Sequence, residues 1–191
     1  MTPNDVKIKV TEVEKITVWV LTDNYYDALR LDTNVAKRCR LIPGKSIHAE
    51  HGLAYYVETV TDNKTGACMF DYGLDPAGVI NNIKLLELDV GKVNAFALSH
   101  GHYDHWSGAM EILKQNRARI AKGILFYVGE EAFLRRYSMR PGTHEATDIG
   151  QLKKEDIEAL GVKVTETKIP TQNLNFSTVD KIVEGYIKNL T

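Results

Sequence analysis

Cysteine is scarce in this 191-residue chain: Cys39 and Cys68 are the only two, and neither stands in a Cys-x-x-Cys pair. A disulfide framework is therefore excluded, and a reducing compartment, the cytoplasm, is the expected setting. Long apolar runs are also missing, since none approaches the roughly 20 residues that a membrane-crossing helix needs. The first residues, Met1-Thr2-Pro3-Asn4-Asp5, lack the basic and apolar regions of a secretory signal. Neither sign of charge dominates: 24 Lys and Arg stand against 25 Asp and Glu, for a net charge of −1. That balance argues against nucleic acid or an anionic membrane as the main partner. The short basic clusters Lys37-Arg38-Cys39-Arg40 and Arg135-Arg136 read as solvated surface. Internal repeats, low-complexity tracts and obvious linkers are absent too.

What is present suits one domain over residues 1–191, a length within the usual roughly 100–200 residues, with 43% hydrophobic residues to build a core. Val6 to Val13 alternates weakly, and Lys15 to Leu21 is a firm strand rich in β-branched and aromatic residues. Residues 28–48, with Pro43-Gly44 as a turn signal, read as a long loop. Leu53 to Val60 is a second strand, and Asp62-Asn63-Lys64-Thr65-Gly66 turns into a third, Ala67 to Asp71. Asp75-Pro76 opens a helix carrying Val79, Ile80, Ile83 and Leu86 at helical spacing. Val93 to Leu98 is a short apolar strand, and Trp106 to Lys114 has helical character. A strand at Ile124–Val128, a helix from about Glu130 to Tyr137 and an irregular stretch over 138–150 follow. A short helix, Lys153 to Leu160, precedes a strand from Val162 to Ile169. Ser177 to Leu190 reads as an amphipathic helical tail. The order predicts a mixed α/β, layered α+β architecture.

The chemistry concentrates directly after the 93–98 strand, in Ser99-His100-Gly101-His102-Tyr103-Asp104-His105-Trp106. Three of the six histidines of the chain fall within six residues. Imidazole and carboxylate suit borderline divalent cations such as zinc. In an extended segment residues two apart point the same way, so His100 and His102 can hold one ion together. As the chain turns into a helix, Asp104 and His105 swing toward a neighbouring position for a second ion. Gly101 removes side-chain bulk between the first two ligands. The other histidines carry weaker signals: His48 reads as a surface or hydrogen-bonding residue, and His144 lies in the irregular stretch, where it can fold over the site.

The segment from Ser99 to Gly108 matches the His-x-His-x-Asp-His motif, and the chain resembles the metallo-β-lactamase superfamily. It is similar above all to the branch of dihydropterin ribofuranosylaminobenzene 5′-phosphate synthase-like metal-dependent hydrolases. Leu21-Thr22-Asp23-Asn24, Glu50-His51-Gly52-Leu53 and Phe70-Asp71-Tyr72-Gly73 carry that closer likeness, with Tyr72 where the superfamily usually has threonine. Ala159-Leu160-Gly161-Val162-Lys163-Val164 also fits, so the likeness covers about residues 12–170, leaving 171–191 as a divergent helical tail. The resemblance implies an αββα sandwich, metal ligation by His100, His102, Asp104 and His105, and a supporting role for Asp71 behind the ligands. It further places His51 and Asn24 in or beside the pocket. It implies a hydrolase of a small anionic ester or phosphodiester, acting through a metal-bound hydroxide with Asp104 as ligand and catalytic partner. The cofactor would be zinc, with manganese or iron as alternatives, and up to two ions.

The superfamily's second half normally supplies further ligands, and after residue 170 this chain has no histidine and one aspartate, Asp180. The expectation is thus a shortened sandwich containing mainly the N-terminal half. Two alternatives follow for function: a metal-binding remnant with impaired catalysis, or a half-site completed by a homo-oligomer or a partner chain.

Overall fold

A computed structural model describes residues 12–167 apart from 41, 63, 130, 140, 141 and 143. Its centre is a six-stranded sheet in the order β1-β2-β3-β4-β5-β8. Strands β1 (Lys15–Thr22), β2 (Ala54–Thr61) and β3 (Lys64–Tyr72) form an antiparallel meander. From β3 onward the pairing is parallel, through β4 (Ala95–Leu98), β5 (Leu125–Gly129) and β8 (Lys163–Thr167). Parallel neighbours need helical crossovers. These are α1 (Pro76–Leu85), then α2 (Tyr103–Trp106) with α3 (Ala109–Asn116), and finally α4 (Lys154–Ala159). The mixed α/β layering expected from the sequence is what folds.

The pleat sorts the core. Phe96 and Leu98 of β4 and Phe126 and Val128 of β5 face Val79, Ile83, Ile112, Leu113 and Ile157 from the helices. Their neighbours Ala95, Ala97 and Tyr127 form a second buried cluster, with Phe70 and Leu125 packed against it. All four residues of β4 are buried, as expected for a strand covered on both faces. Tyr72, in the place of the superfamily's threonine, is fully buried and its ring stacks on Phe126 at 5.5 Å between centroids. That departure therefore serves packing.

Helix α1 begins as its sequence demands. Asp75 is extended, its carboxylate accepts from the Ala77 amide at 3.0 Å, and Pro76 occupies the first turn. The expected helix over 106–114 is instead two pieces, α2 and α3, separated at Ser107–Gly108. Gly108 passes so close to the Tyr72 carbonyl that any Cβ there would collide with it.

Two expectations fail between 130 and 150. Described residues 131–134 form a turn rather than a helix. The supposedly irregular stretch contains a two-stranded antiparallel ribbon, β6 (Arg136–Met139) with β7 (Ala146–Gly150). His144 is exposed in the connection of that ribbon. The long loop over 28–48 holds, but its basic residues are more than solvated surface. Arg40 donates to the Ala28 and Arg30 carbonyls at 2.9 Å and to Asp32 at 2.6 Å, stapling the loop across itself. The weak strand at 6–13 lies almost wholly outside the described residues, and the helical tail at 177–190 wholly so. Among the described residues no helix is long and apolar enough to cross a membrane.

Candidate metal centre

Because β3 and β4 run parallel, their C-terminal ends meet at one edge of the sheet. Asp71 emerges from the first and Ser99 and His100 from the second. Ligands commonly gather at this edge of open α/β sheets. The Asp71 backbone adopts a left-handed φ of 57°, where the β2–β3 pairing shifts register just before β3 ends. Its buried carboxylate is fully engaged. Oδ1 accepts from the Ser99 amide at 2.8 Å, and Oδ2 accepts from the Ser99 hydroxyl at 2.7 Å and from His105 Nδ1 at 2.7 Å.

These bonds set the protons on two rings. A carboxylate only accepts, so His105 Nδ1 carries the proton and its Nε2 presents a lone pair. The Ser99 hydroxyl spends its own proton on Asp71 and therefore accepts from His100 Nδ1 at 2.8 Å. His100 Nε2 is left as a second free lone pair. Ser99 is a site residue that its sequence position, next to the first histidine, hints at without assigning a role.

The rings converge. His100 lies edge-on to His102, with centroids 4.5 Å apart, and 4.2 Å from His105. His100 is held below its ordinary histidine range by burial, and then by its two histidine neighbours. Burial also pushes His105 down, but the hydrogen bond and charge of Asp71, with Asp104 beside it, more than offset this and leave it raised. His102 is exposed at the N-terminus of α2, where its extended backbone precedes the first helical residue. Gly101 is required for a reason other than room between ligands: a Cβ there would press on the backbone of Ala132.

Asp104 and His105 sit on α2, with Asp104 Oδ2 3.6 Å from His105 Nε2. His51 Nε2 lies 3.6 Å from the same oxygen, and His51 Nδ1 is 3.1 Å from Asn24 Oδ1. Asn24 and His51 thus meet beside Asp104. Among the described residues no three His, Cys, Asp or Glu side chains close on a single point. The donors are grouped pairwise, and their chemistry, imidazole Nε2 lone pairs beside a carboxylate, fits a borderline divalent cation.

Glu50 was visible only as part of a motif, yet it braces the rim. Its carboxylate accepts from the Leu74 amide at 2.7 Å, the Asp75 amide at 2.8 Å and His48 Nε2 at 3.0 Å. Its own amide donates to the Asp23 carbonyl at 3.1 Å. The segment bearing His51 is thereby tied both to the turn after β3 and to the turn bearing Asn24. His48 has the hydrogen-bonding role expected of it.

Comparison with known proteins follows this geometry. Residues 49–172 match the metallo-beta-lactamase superfamily, and the chain belongs to it. A similar curated protein is the 7,8-dihydropterin-6-methyl-4-(beta-D-ribofuranosyl)-aminobenzene-5'-phosphate synthase of Methanocaldococcus jannaschii, 28% identical over 113 residues. The match takes in 59% of this chain and 37% of that protein, so the chain spans little more than a third of its relative's length. Among solved structures, the metallo-beta-lactamase MIM-1 of Novosphingobium pentaromativorans is 22% identical, with a TM-score of 0.30, over 42% of this chain and 26% of that one. The subclass B3 enzyme MEM-A1 from a soil metagenome is 15% identical, with a TM-score of 0.33, over 63% and 45%.

Proposed function

We propose that this chain is a metal-dependent hydrolase of small anionic esters or phosphodiesters, with zinc as its metal and manganese or iron as alternatives. The observation that carries the reading is the Asp71–Ser99 relay. It fixes the tautomers of His100 and His105 so that both Nε2 atoms are available as ligands. Polar support of this kind behind metal-bound histidines orients them and raises their basicity. His100 and His102 would hold one ion, and Asp104 and His105 another.

A divalent cation bound there would supply Lewis acidity and a water acidified toward neutral pH. The chain's own residues do the rest. Asp71 keeps the ring protons on the Nδ1 side, and Asp104 accepts a proton or hydrogen bond from the attacking water. Asn24 and His51 border the approach of the substrate. A compact anionic substrate suits a site whose donors are all clustered at one sheet edge. The unpaired Cys39 and Cys68 fit a reducing cytoplasm.

The test is hydrolysis of a generic phosphodiester or aryl ester by the zinc-loaded protein. Turnover that chelator removes, zinc restores and His102→Ala abolishes is the expected result. Turnover unchanged by chelator, or by His102→Ala, overturns the reading.

A further inference from the structure

The loop between β1 and β2 is built inside out, its polar groups engaged within the loop itself. The Asp27 carboxylate accepts from the Leu29 and Arg30 amides at 2.9 and 3.3 Å. Asp32 accepts from the Arg38 amide at 3.0 Å and from the Arg40 guanidinium at 2.6 Å. Arg38 donates to the Leu31 carbonyl at 2.7 Å, and the Tyr26 hydroxyl closes the neck on the Cys39 carbonyl. The apolar side chains turn outward instead: Leu29 and Leu31 are each 81% exposed and Val35 88%. Single apolar residues on a surface need no explanation. Three of them within residues 29–35, on a loop so heavily bonded, argue for a contact surface.

Charge on this loop is equally uneven. Over residues 27–40 four cations, Arg30, Lys37, Arg38 and Arg40, stand against two acids, Asp27 and Asp32. The near-neutral total of the chain thus conceals a local basic excess. Both acids already accept bonds from the loop, and Arg38 and Arg40 are held inside it. Arg30 and Lys37 are exposed, and among the described residues neither has an ion-pair partner. What the loop offers outward is therefore aliphatic and cationic.

We infer that this loop docks on an anionic lipid surface. Leu29, Leu31 and Val35 enter the boundary between headgroups and acyl chains, while Arg30 and Lys37 meet the negative charge of the headgroups. Apolar and basic side chains acting together hold peripheral proteins on such surfaces, each adding to an attachment that is weak on its own. A protein partner fits the composition less well. Leucine and valine are under-represented among residues that carry protein–protein affinity, where tryptophan, tyrosine and arginine dominate, and here Arg38 and Arg40 face the loop's own carbonyls. The internal bonds of the loop also lower the ordering cost of docking. This attachment is independent of the metal-binding reading above.

The experiment is flotation of the 191-residue chain with vesicles of phosphatidylcholine, with and without phosphatidylserine, at low and high salt. Wild type is compared with Leu31→Ser, Lys37→Ser and, as a control away from the loop, Met139→Ser, whose side chain is likewise exposed. All three positions are exposed, so the variants are expected to keep the far-ultraviolet circular dichroism of the parent. Binding to phosphatidylserine vesicles that neutral vesicles lack, and that high salt weakens, is the expected result. Leu31→Ser should weaken it ~10-fold and Lys37→Ser ~5-fold, with Met139→Ser unchanged. No binding to phosphatidylserine vesicles overturns the inference, and so does an equal loss in Met139→Ser. Self-association in light scattering that Leu31→Ser abolishes, by a chain that floats with neither vesicle, assigns the loop to a protein contact and overturns it too.

Discussion

Oδ2 of Asp71 lies 2.7 Å from Nδ1 of His105, and the same carboxylate reaches His100 through the hydroxyl of Ser99. One buried acid at the end of β3 therefore governs two rings on the segment after β4, His100 on the loop and His105 on α2. The parallel pairing of those strands is what makes that possible. Removing the acid should separate metal affinity from fold. Asp71→Asn keeps a side chain that tolerates a left-handed backbone. It should leave the protein folded while weakening metal binding about 10–100-fold. Asp71→Ala also strands the Ser99 amide and should cost about 1–3 kcal/mol of stability in addition. Chelator competition and urea unfolding of the two variants check this. Equal metal affinity in Asp71→Asn and wild type would remove the relay from the account.

Asn82 is fully buried on α1 and holds the start of the rim segment. Its amide donates to the Leu21 carbonyl at 2.6 Å and the His48 carbonyl at 2.7 Å, and its Oδ1 accepts from the His48 amide at 2.8 Å. Asn82→Ala leaves buried backbone groups unpaired and should cost about 3 kcal/mol, measured by chemical denaturation. Asn82→Asp, which can accept but not donate, should be nearly as damaging. A loss below about 0.5 kcal/mol, the range of ordinary surface substitutions, would show that water takes over these bonds.

Gly101→Ala should destabilise the protein by ~1–3 kcal/mol, because the added methyl meets the Ala132 backbone and forces a shift. The same substitution at Gly123, where an added Cβ meets nothing within 4 Å but φ is +72°, tests backbone strain without a clash. Thermal unfolding of the pair separates the two effects. Gly101→Ala is expected to move the ring contacts between His100 and His102, which Gly123→Ala leaves in place.

Ligand binding to the native state alone raises stability by mass action. Zinc at about 100 times its dissociation constant should add ~2.7 kcal/mol, roughly 5–10 °C in melting temperature for a chain of this size. Chelator should reverse the rise. No change in melting temperature with zinc would contradict a site formed by the folded chain.

The strands and the histidine loop were legible because their signals are local. Alternating β-branched residues mark β1, the apolar run Ala95-Phe96-Ala97-Leu98 marks β4, and the ligand types crowd into His100–His105. Asp71 and His51 could be placed near the site only by resemblance, since their partners lie 34 and 27 residues away in sequence. The ribbon β6–β7 escaped notice because its strands bury almost nothing, with Tyr137 and Met139 among the exposed apolar residues. An exposed ribbon is specified by cross-strand pairing, which leaves little periodicity to read. The break between α2 and α3 was hidden for a related reason. Gly108, which lies at the break, passes close to the Tyr72 carbonyl, a contact between distant positions. The support that Glu50 gives through two backbone amides is equally non-local.

Metal content of the purified 191-residue chain tests the central claim most directly. After loading with zinc and removal of free ion, elemental analysis should find at least about one equivalent per chain, and His100→Ala with His105→Ala should bring it close to zero. Less than about half an equivalent in the folded wild type, with zinc, manganese and iron each tried, would contradict a metal centre built on His100, His102, Asp104 and His105.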